Sequence, residues 1–192
     1  MILARPIVLL AVFGVLLSAP ALAASAKSGA SGVAGTANGT GAGGKLTTQE
    51  QALLRSRELW ATIDVCNPAD QADTVGVRGS MPGDGQSKDE MYMRFRLQYL
   101  ESTTQQWVDL ANGADSGYVA VGAAKSARQT GRSFQLVPVA GKPAVELRGV
   151  VSFQWRRGAT VEYTVSRPTT VGHTSLAGAD PAGFSAAECS LS

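Results

Sequence analysis

An all-β fold, an antiparallel β-sandwich preceded by one short helix, is what this 192-residue sequence predicts. From Leu59 onward, apolar side chains recur at every second position in roughly seven or eight short runs. Asn, Pro, Gly and Asp separate those runs, and polar side chains fill the alternate positions. Each run therefore has one face for a core and one for water, and two antiparallel sheets packed face to face bury such faces together.

The ends of the chain set the compartment. Arg5, the apolar run Ile7–Leu17 and the small-x-small triplet Ala21-Leu22-Ala23 have the three-part form of a secretory signal peptide. Residues 1–23 are expected to be cleaved after Ala23 or, failing that, kept as an N-terminal anchor. The apolar run is short for a bilayer span, which needs about 20 residues. Gly, Ala, Ser and Thr dominate residues 24–45, with one Val and no larger apolar side chain. Such a chain buries too little surface to offset the entropy of ordering it, so a flexible tether with a coil dimension of about 25 Å is expected. Residues 46–192 make one β-sandwich domain.

Charge and cysteine usage narrow the partners. The chain has 17 Lys and Arg against 15 Asp and Glu, and loss of Arg5 leaves it close to neutral. Neither nucleic acid nor a general attraction to anionic membranes is expected of such a chain. Cys66 and Cys189 are the only cysteines, and export favours joining them. The bridge would tie an early strand to the C-terminal tail, and a loop so long is worth roughly 4–5 kcal/mol at most. A lone histidine argues against a metal site, and no C-x-x-C spacing suggests a reactive thiol pair. No cofactor is implied.

The elements follow in order. Leu46–Glu58 reads as the helix, with a capping box from Thr47 and Glu50 or from Thr48 and Gln51. Ala61, Ile63 and Val65 then alternate with Thr62, Asp64 and Cys66, placing Asp64 on a solvent face, and Thr74–Gly79 is a second strand. Met91–Tyr99 has the strongest pattern, with Met91, Met93, Phe95, Leu97 and Tyr99 inward and Tyr92, Arg94, Arg96 and Gln98 outward. Shorter runs lie at Gln106–Leu110, Tyr118–Val121 and Ser133–Pro138. Val145–Arg157 turns Leu147, Val151, Phe153 and Trp155 inward, and Val161, Tyr163 and Val165 follow.

The last two runs predict a hairpin with a three-residue turn, Arg156, Arg157 and Gly158. That length puts Trp155 opposite Ala159, Phe153 opposite Val161 and Val151 opposite Tyr163, so both apolar sets face the core. Gly158 would take the left-handed position at least cost, and the two arginines would lie at an exposed turn. Trp60 has the polar-face parity of its strand, and contact with the helix is expected.

The order YMRFRLQY, a Trp, then SFQLVPVAGKPAVELRGVVSFQWRRG resembles the later strands of a fibronectin type III or related immunoglobulin-like domain, over roughly residues 91–167. The wider wording, LWATIDVCNP through GFSAAEC, is similar to uncharacterised exported proteins of high-GC bacteria. The resemblance implies a compartment and a shape but no chemistry. A cysteine four residues from the end departs from the immunoglobulin disulfide, which joins two central strands.

Catalytic signatures are sparse. His173 is the single histidine, no G-x-S-x-G occurs, and G-x-G-x-x-G-like spacings fall only in the tether. His173 is expected at the surface or in a hydrogen bond. Asp70, Asp73, Asp84 and Asp89 fall in loops and Glu162 on a polar strand face. The acidic loop Asp84–Glu90 lacks the ligand pattern of an EF-hand. The positive lead is Arg94 and Arg96 on one strand with Arg148 and Arg156 on another. If those strands are neighbours, four guanidinium groups share one anion-binding face, with Gln98 and Gln154 beside them. The expectation is a non-catalytic exported domain of the cell surface whose partner is an anionic envelope polymer or another exported protein. The alternatives are a carboxylate-dependent exported hydrolase and a small-molecule or metal-binding sandwich.

Overall fold

A computed structural model describes residues 46–139, 141–173 and 177–192. The signal peptide and tether assigned to residues 1–45 lie outside the described residues. Helix α1 spans Thr48–Arg55, and Thr47 caps it in a complete capping box with Glu50. The Glu50 N–H donates to Thr47 Oγ1 at 3.2 Å and the Thr47 N–H to Glu50 Oε2 at 2.8 Å. Ser56 turns extended, so the helix stops three residues short of the expected Glu58.

Among the described residues nine strands follow: β1 Trp60–Cys66, β2 Thr74–Met81, β3 Glu90–Glu101, β4 Gln106–Asp109, β5 Asp115–Ala123, β6 Arg128–Gln135, β7 Val145–Arg157, β8 Thr160–Pro168 and β9 Glu188–Leu191. They form an antiparallel sandwich. The smaller sheet runs β1-β2-β6. In the larger sheet β3 and β7 are central, β4 and β5 share the outer side of β3, and β8 and β9 share the outer side of β7. Between the sheets, Ile63, Val75, Val77, Met91, Met93, Phe95, Leu97, Val151, Phe153 and Trp155 are all buried. The alternation read for β3 and β7 is thus the inside and outside of the molecule. Trp155, which has a polar tip, donates its indole N–H to the Pro82 carbonyl at 3.0 Å.

The hairpin differs from the expected one. Arg157 pairs with Thr160 and Arg156 with Val161, so the turn is Gly158-Ala159, and both arginines belong to β7. Gly158 has φ +59°, the left-handed conformation expected of it. An unbroken two-residue hairpin would set apolar against polar along the ladder. A register shift between Trp155 and Arg156 corrects this, bringing Trp155 opposite Tyr163 and Phe153 opposite Val165. A bulge does what the longer turn was expected to do, and it leaves Val161 exposed at 46% instead of in the core.

The face of β1 also departs from its pattern. Thr62 and Asp64 are buried, although their parity is outward. The C-terminal tail covers them. Ile63 and Ala186 exchange main-chain hydrogen bonds at 2.9 and 3.0 Å, the Asp180 N–H donates to the Asp64 carbonyl at 2.9 Å, and Thr62 Oγ1 meets Ser185 Oγ at 2.8 Å. Cys66 and Cys189 are bonded, with 5.7 Å between their Cα atoms, joining β1 to β9. Asp64 is the bulged residue of β1, and Arg78 Nε donates to its Oδ2 at 2.7 Å. A charge that alternation assigned to water is therefore buried and paired.

Candidate functional site

The register of β3 against β7 builds the candidate site. Glu90 lies opposite Arg156, Tyr92 opposite Gln154, Arg94 opposite Ser152, Arg96 opposite Val150 and Gln98 opposite Arg148. Directly opposed residues of an antiparallel pair share a face, and this face is the one turned away from the core. The two strands are neighbours, so Arg94, Arg96, Arg148 and Arg156 do share one surface. From Arg148 to Arg156 the face runs along β7 for about 26 Å at the usual strand rise.

The neighbouring strands bring partners that single-strand periodicity did not reveal. β5 sets Tyr118 opposite Arg94 and Asp115 opposite Arg96, and β4 sets Asp109 opposite Gln98. Arg94 forks onto Asp115, with Nε 2.9 Å from Oδ1 and Nη2 on Oδ2. The ion pair raises the arginine's pKa and lowers the aspartate's. Arg96 Nη1 donates to Asp109 Oδ2 at 2.6 Å, while Gln98 Nε2 donates to Asp109 Oδ1 at 2.7 Å. The middle of the face is consequently neutralised by two carboxylates.

The two outer arginines are held differently. Arg148 Nε donates to Gln98 Oε1 at 2.9 Å and its guanidinium carbon stands 4.4 Å from the Trp107 ring centre. Burial lowers its pKa, opposed by Glu188 and Asp109. Arg156 Nε donates to Gln154 Oε1 at 2.8 Å, and its guanidinium lies 4.0 Å from the Tyr92 ring centre and 5.0 Å from that of Tyr118. Both guanidiniums rest on aromatic rings, are oriented by a glutamine carbonyl, and lack a carboxylate within ion-pair distance among the described residues. Trp107, Tyr92 and Tyr118 are thus platforms. Tyr92 already had outward parity, whereas Trp107 and Tyr118 lie on β4 and β5, whose pairing no local pattern announced.

Arg157 leaves this face. Its Nε and Nη2 donate to Asp89 Oδ1 and Oδ2 at 2.7 and 2.9 Å. Asp89, expected in a loop, is buried, and Arg157 holds its carboxyl below the ordinary range. Asp84 beside it is pushed up, mainly by burial. The basic end of the long hairpin therefore anchors the Asp84–Glu90 loop of its own chain. His173 is half-buried with its ring stacked on Trp60, centroids 4.2 Å apart. Its main-chain N–H, and not its ring, meets Ser185 Oγ at 3.0 Å. Trp60, assigned to the helix from strand parity, has this imidazole as its stacking partner.

Elsewhere among the described residues, a small pocket of about 50 Å³ lies between α1 and the β7–β8 hairpin, with Glu50 on its wall, and two clefts are larger. One, of about 490 Å³, is apolar and is bordered by Leu110, Leu136, Val137, Val139, Val145 and Leu191 among others. The other, of about 430 Å³, separates β5 from β6. Neither is lined by an Asp or Glu side chain. Among the described residues, no three His, Cys, Asp or Glu side chains converge as a metal site would need, and no helix is long and apolar enough to cross a membrane.

No protein-family model matches the chain, and neither the curated proteins nor the solved structures compared with it yield a match.

Proposed function

We propose that this is a secreted or cell-surface binding domain of the fibronectin type III or immunoglobulin-like kind, without catalysis, whose recognition surface is the outer face of the larger sheet. Its ligand is an extended anionic polymer of the cell envelope. The observation that carries the reading is the pair Arg148 and Arg156, each seated on aromatic rings and oriented by a glutamine. A guanidinium fixed in this way loses little freedom when it binds, and its remaining N–H groups suit bidentate contact with carboxylate or phosphate. Their separation of about 26 Å along one strand suits a chain-like ligand better than a small one. The neutralised centre, with Gln98, Gln154 and two carboxylate-paired arginines, offers hydrogen bonds to a polymer backbone.

The face also has the composition of binding hot spots, which are rich in Trp, Tyr and Arg. Support for a non-catalytic role comes from Asp64, Asp89, Asp109 and Asp115, each committed to an arginine of its own chain, and from the two larger clefts, which no Asp or Glu lines. The test is retention of the oxidised chain on cell-envelope fractions at low and raised salt. Arg148→Ala combined with Arg156→Ala should abolish retention, and added salt should weaken that of the parent. Arg94→Ala with Arg96→Ala should matter less, because those side chains already satisfy Asp115 and Asp109. Retention of the Arg148/Arg156 double variant at the parental level would remove this reading.

A further inference from the structure

The smaller sheet has one edge covered by the tail and the other bordered by a cleft that separates it from β5. The free edge of β1 is taken up by the tail, through Ile63 with Ala186 and Val65 with Asp180. At the opposite edge of the same sheet, β6 pairs only with β2 among the described residues. That pairing runs unbroken from Thr74 opposite Gln135 to Met81 opposite Arg128, which leaves eight residues of regular strand edge. β5, the facing edge of the larger sheet, has two register shifts against β3. Such bulges spoil a strand as a template, and β6 has none.

The side chains of β6 that face into the opening are unusual. Residues opposed across β2 and β6 share a face. Val75, Val77 and Met81 are buried, and opposite them stand Phe134, Arg132 and Arg128. The two arginines therefore have core-side parity, at a rim where the cleft of about 430 Å³ replaces the core. Arg132 lines that cleft. Arg128, at the end of the cleft, reaches β5, since a Cβ placed on Gly122 would stand 3.4 Å from its Nε. Both are exposed, and neither belongs to an ion pair among the described residues.

We propose that β6 accepts an extended acidic peptide as a fourth strand of the smaller sheet. The peptide has carboxylates four residues apart, which face Arg128 and Arg132, and a small residue midway, opposite Thr130. Main-chain hydrogen bonds along the edge give sequence-blind affinity, and the two cations select the partner. Inward-pointing charges at an edge ordinarily deter strand pairing. Here a peptide that supplies the matching carboxylates relieves the deterrent, whereas an apolar or basic strand does not. A second copy of this strand does not meet the requirement, because β6 (RQTGRSFQ) has neither Asp nor Glu to set against the two arginines.

The test uses the purified oxidised chain and three synthetic ten-residue peptides of alternating Thr and Val. One has two Thr positions four apart changed to Glu, one has them changed to Lys, and one is the Glu peptide with N-methyl groups along its bonding edge. By calorimetry the Glu peptide should bind at least about tenfold more tightly than the Lys peptide, as close charge pairs at an interface would give. Arg128→Glu with Arg132→Glu should invert the preference, and both positions are exposed, so an unchanged thermal midpoint verifies the fold. The N-methylated peptide should not bind, because it cannot complete the ladder. Equal binding of the Glu and Lys peptides, no binding by any of them, full binding of the N-methylated peptide, or an uninverted preference in the charge-swapped variant would each overturn the proposal.

Discussion

Replacing Arg78 by Met keeps the aliphatic stem and removes only the guanidinium, so it isolates what that group does for Asp64. The Asp64 side chain is 5% exposed and that of Arg78 19%, with 2.7 Å between Oδ2 and Nε. Asp64 sits at a bulge above Gly76, so close that a Cβ on that glycine would stand 2.7 Å from Oδ1. The tail closes over the pair from outside. Breaking a buried ion pair by removing one partner costs about 3–5 kcal/mol, because the remaining charge stays out of water. The partial exposure of Arg78 lets some water reach the vacated space, which places the expected loss near the lower end, about 3 kcal/mol. For a domain of this size that loss lowers the thermal midpoint by roughly 6–12 °C. Urea and thermal denaturation of the oxidised protein, followed by circular dichroism, measure it. Asp64→Asn combined with Arg78→Met should be more stable than Arg78→Met alone by about 1–2 kcal/mol, since the uncompensated charge has gone. A loss below about 1 kcal/mol for the single variant, or a double variant no more stable than it, would refute the account of Asp64 as a buried charge.

Gly149→Ala on β7 should cost about 1–3 kcal/mol by overpacking, as its Cβ would meet Thr169 Cγ2 at 2.7 Å and Val77 at 2.8 Å; thermal denaturation would show it, and Val77→Ala should restore part of the loss. Reduction of the Cys66–Cys189 bond, which spans 123 residues, should lower the urea midpoint by roughly 2 M, and Cys66→Ser with Cys189→Ser should match the reduced protein. Burial lowers the pKa of His173 from its ordinary 6.5, so the folded state binds its proton less readily than the unfolded one. The stability it contributes is therefore complete above 6.5 and declines as pH falls through the depressed value. Because the ring lies on Trp60, acidification should quench a tryptophan fluorescence component with a midpoint below 6.5, and His173→Phe should remove that step.

The central strands were legible because their pattern repeats long enough to be unambiguous. Met91, Met93, Phe95 and Leu97 can be buried together only if Tyr92, Arg94, Arg96 and Gln98 face outward, and the same holds across Leu147 to Trp155. That parity put the four arginines on outward faces, and the pairing of β3 with β7 made those faces one surface. The electrostatics of that surface did not follow from parity, because Asp109 and Asp115 arrive on β4 and β5, whose neighbours are chosen by chain topology. Alternation misled at Asp64 and Thr62 for a related reason. A strand pattern reports which side a residue faces, and it is silent about a tail more than a hundred residues later that covers the outer side. The hairpin failed more locally. A longer turn and a two-residue turn with a bulge satisfy the same requirement that Trp155 and Phe153 face apolar partners, and backbone geometry chose the second.

What the sequence by itself determined is therefore the set of properties that follow from local period and composition: the sandwich class, the inward set of the long strands, the capping box of the helix and, from a chain with just two cysteines, the bridge. Tertiary structure alone decided which charges meet. It turned Arg157 onto Asp89, laid Arg148 and Arg156 on aromatic rings, and left Arg128 and Arg132 out of any ion pair among the described residues, beside the cleft between β5 and β6. The physical reason is range. Side-chain parity is set by the backbone within a few residues, whereas an ion pair is set by which distant strands become neighbours, and that depends on how the whole chain closes its core.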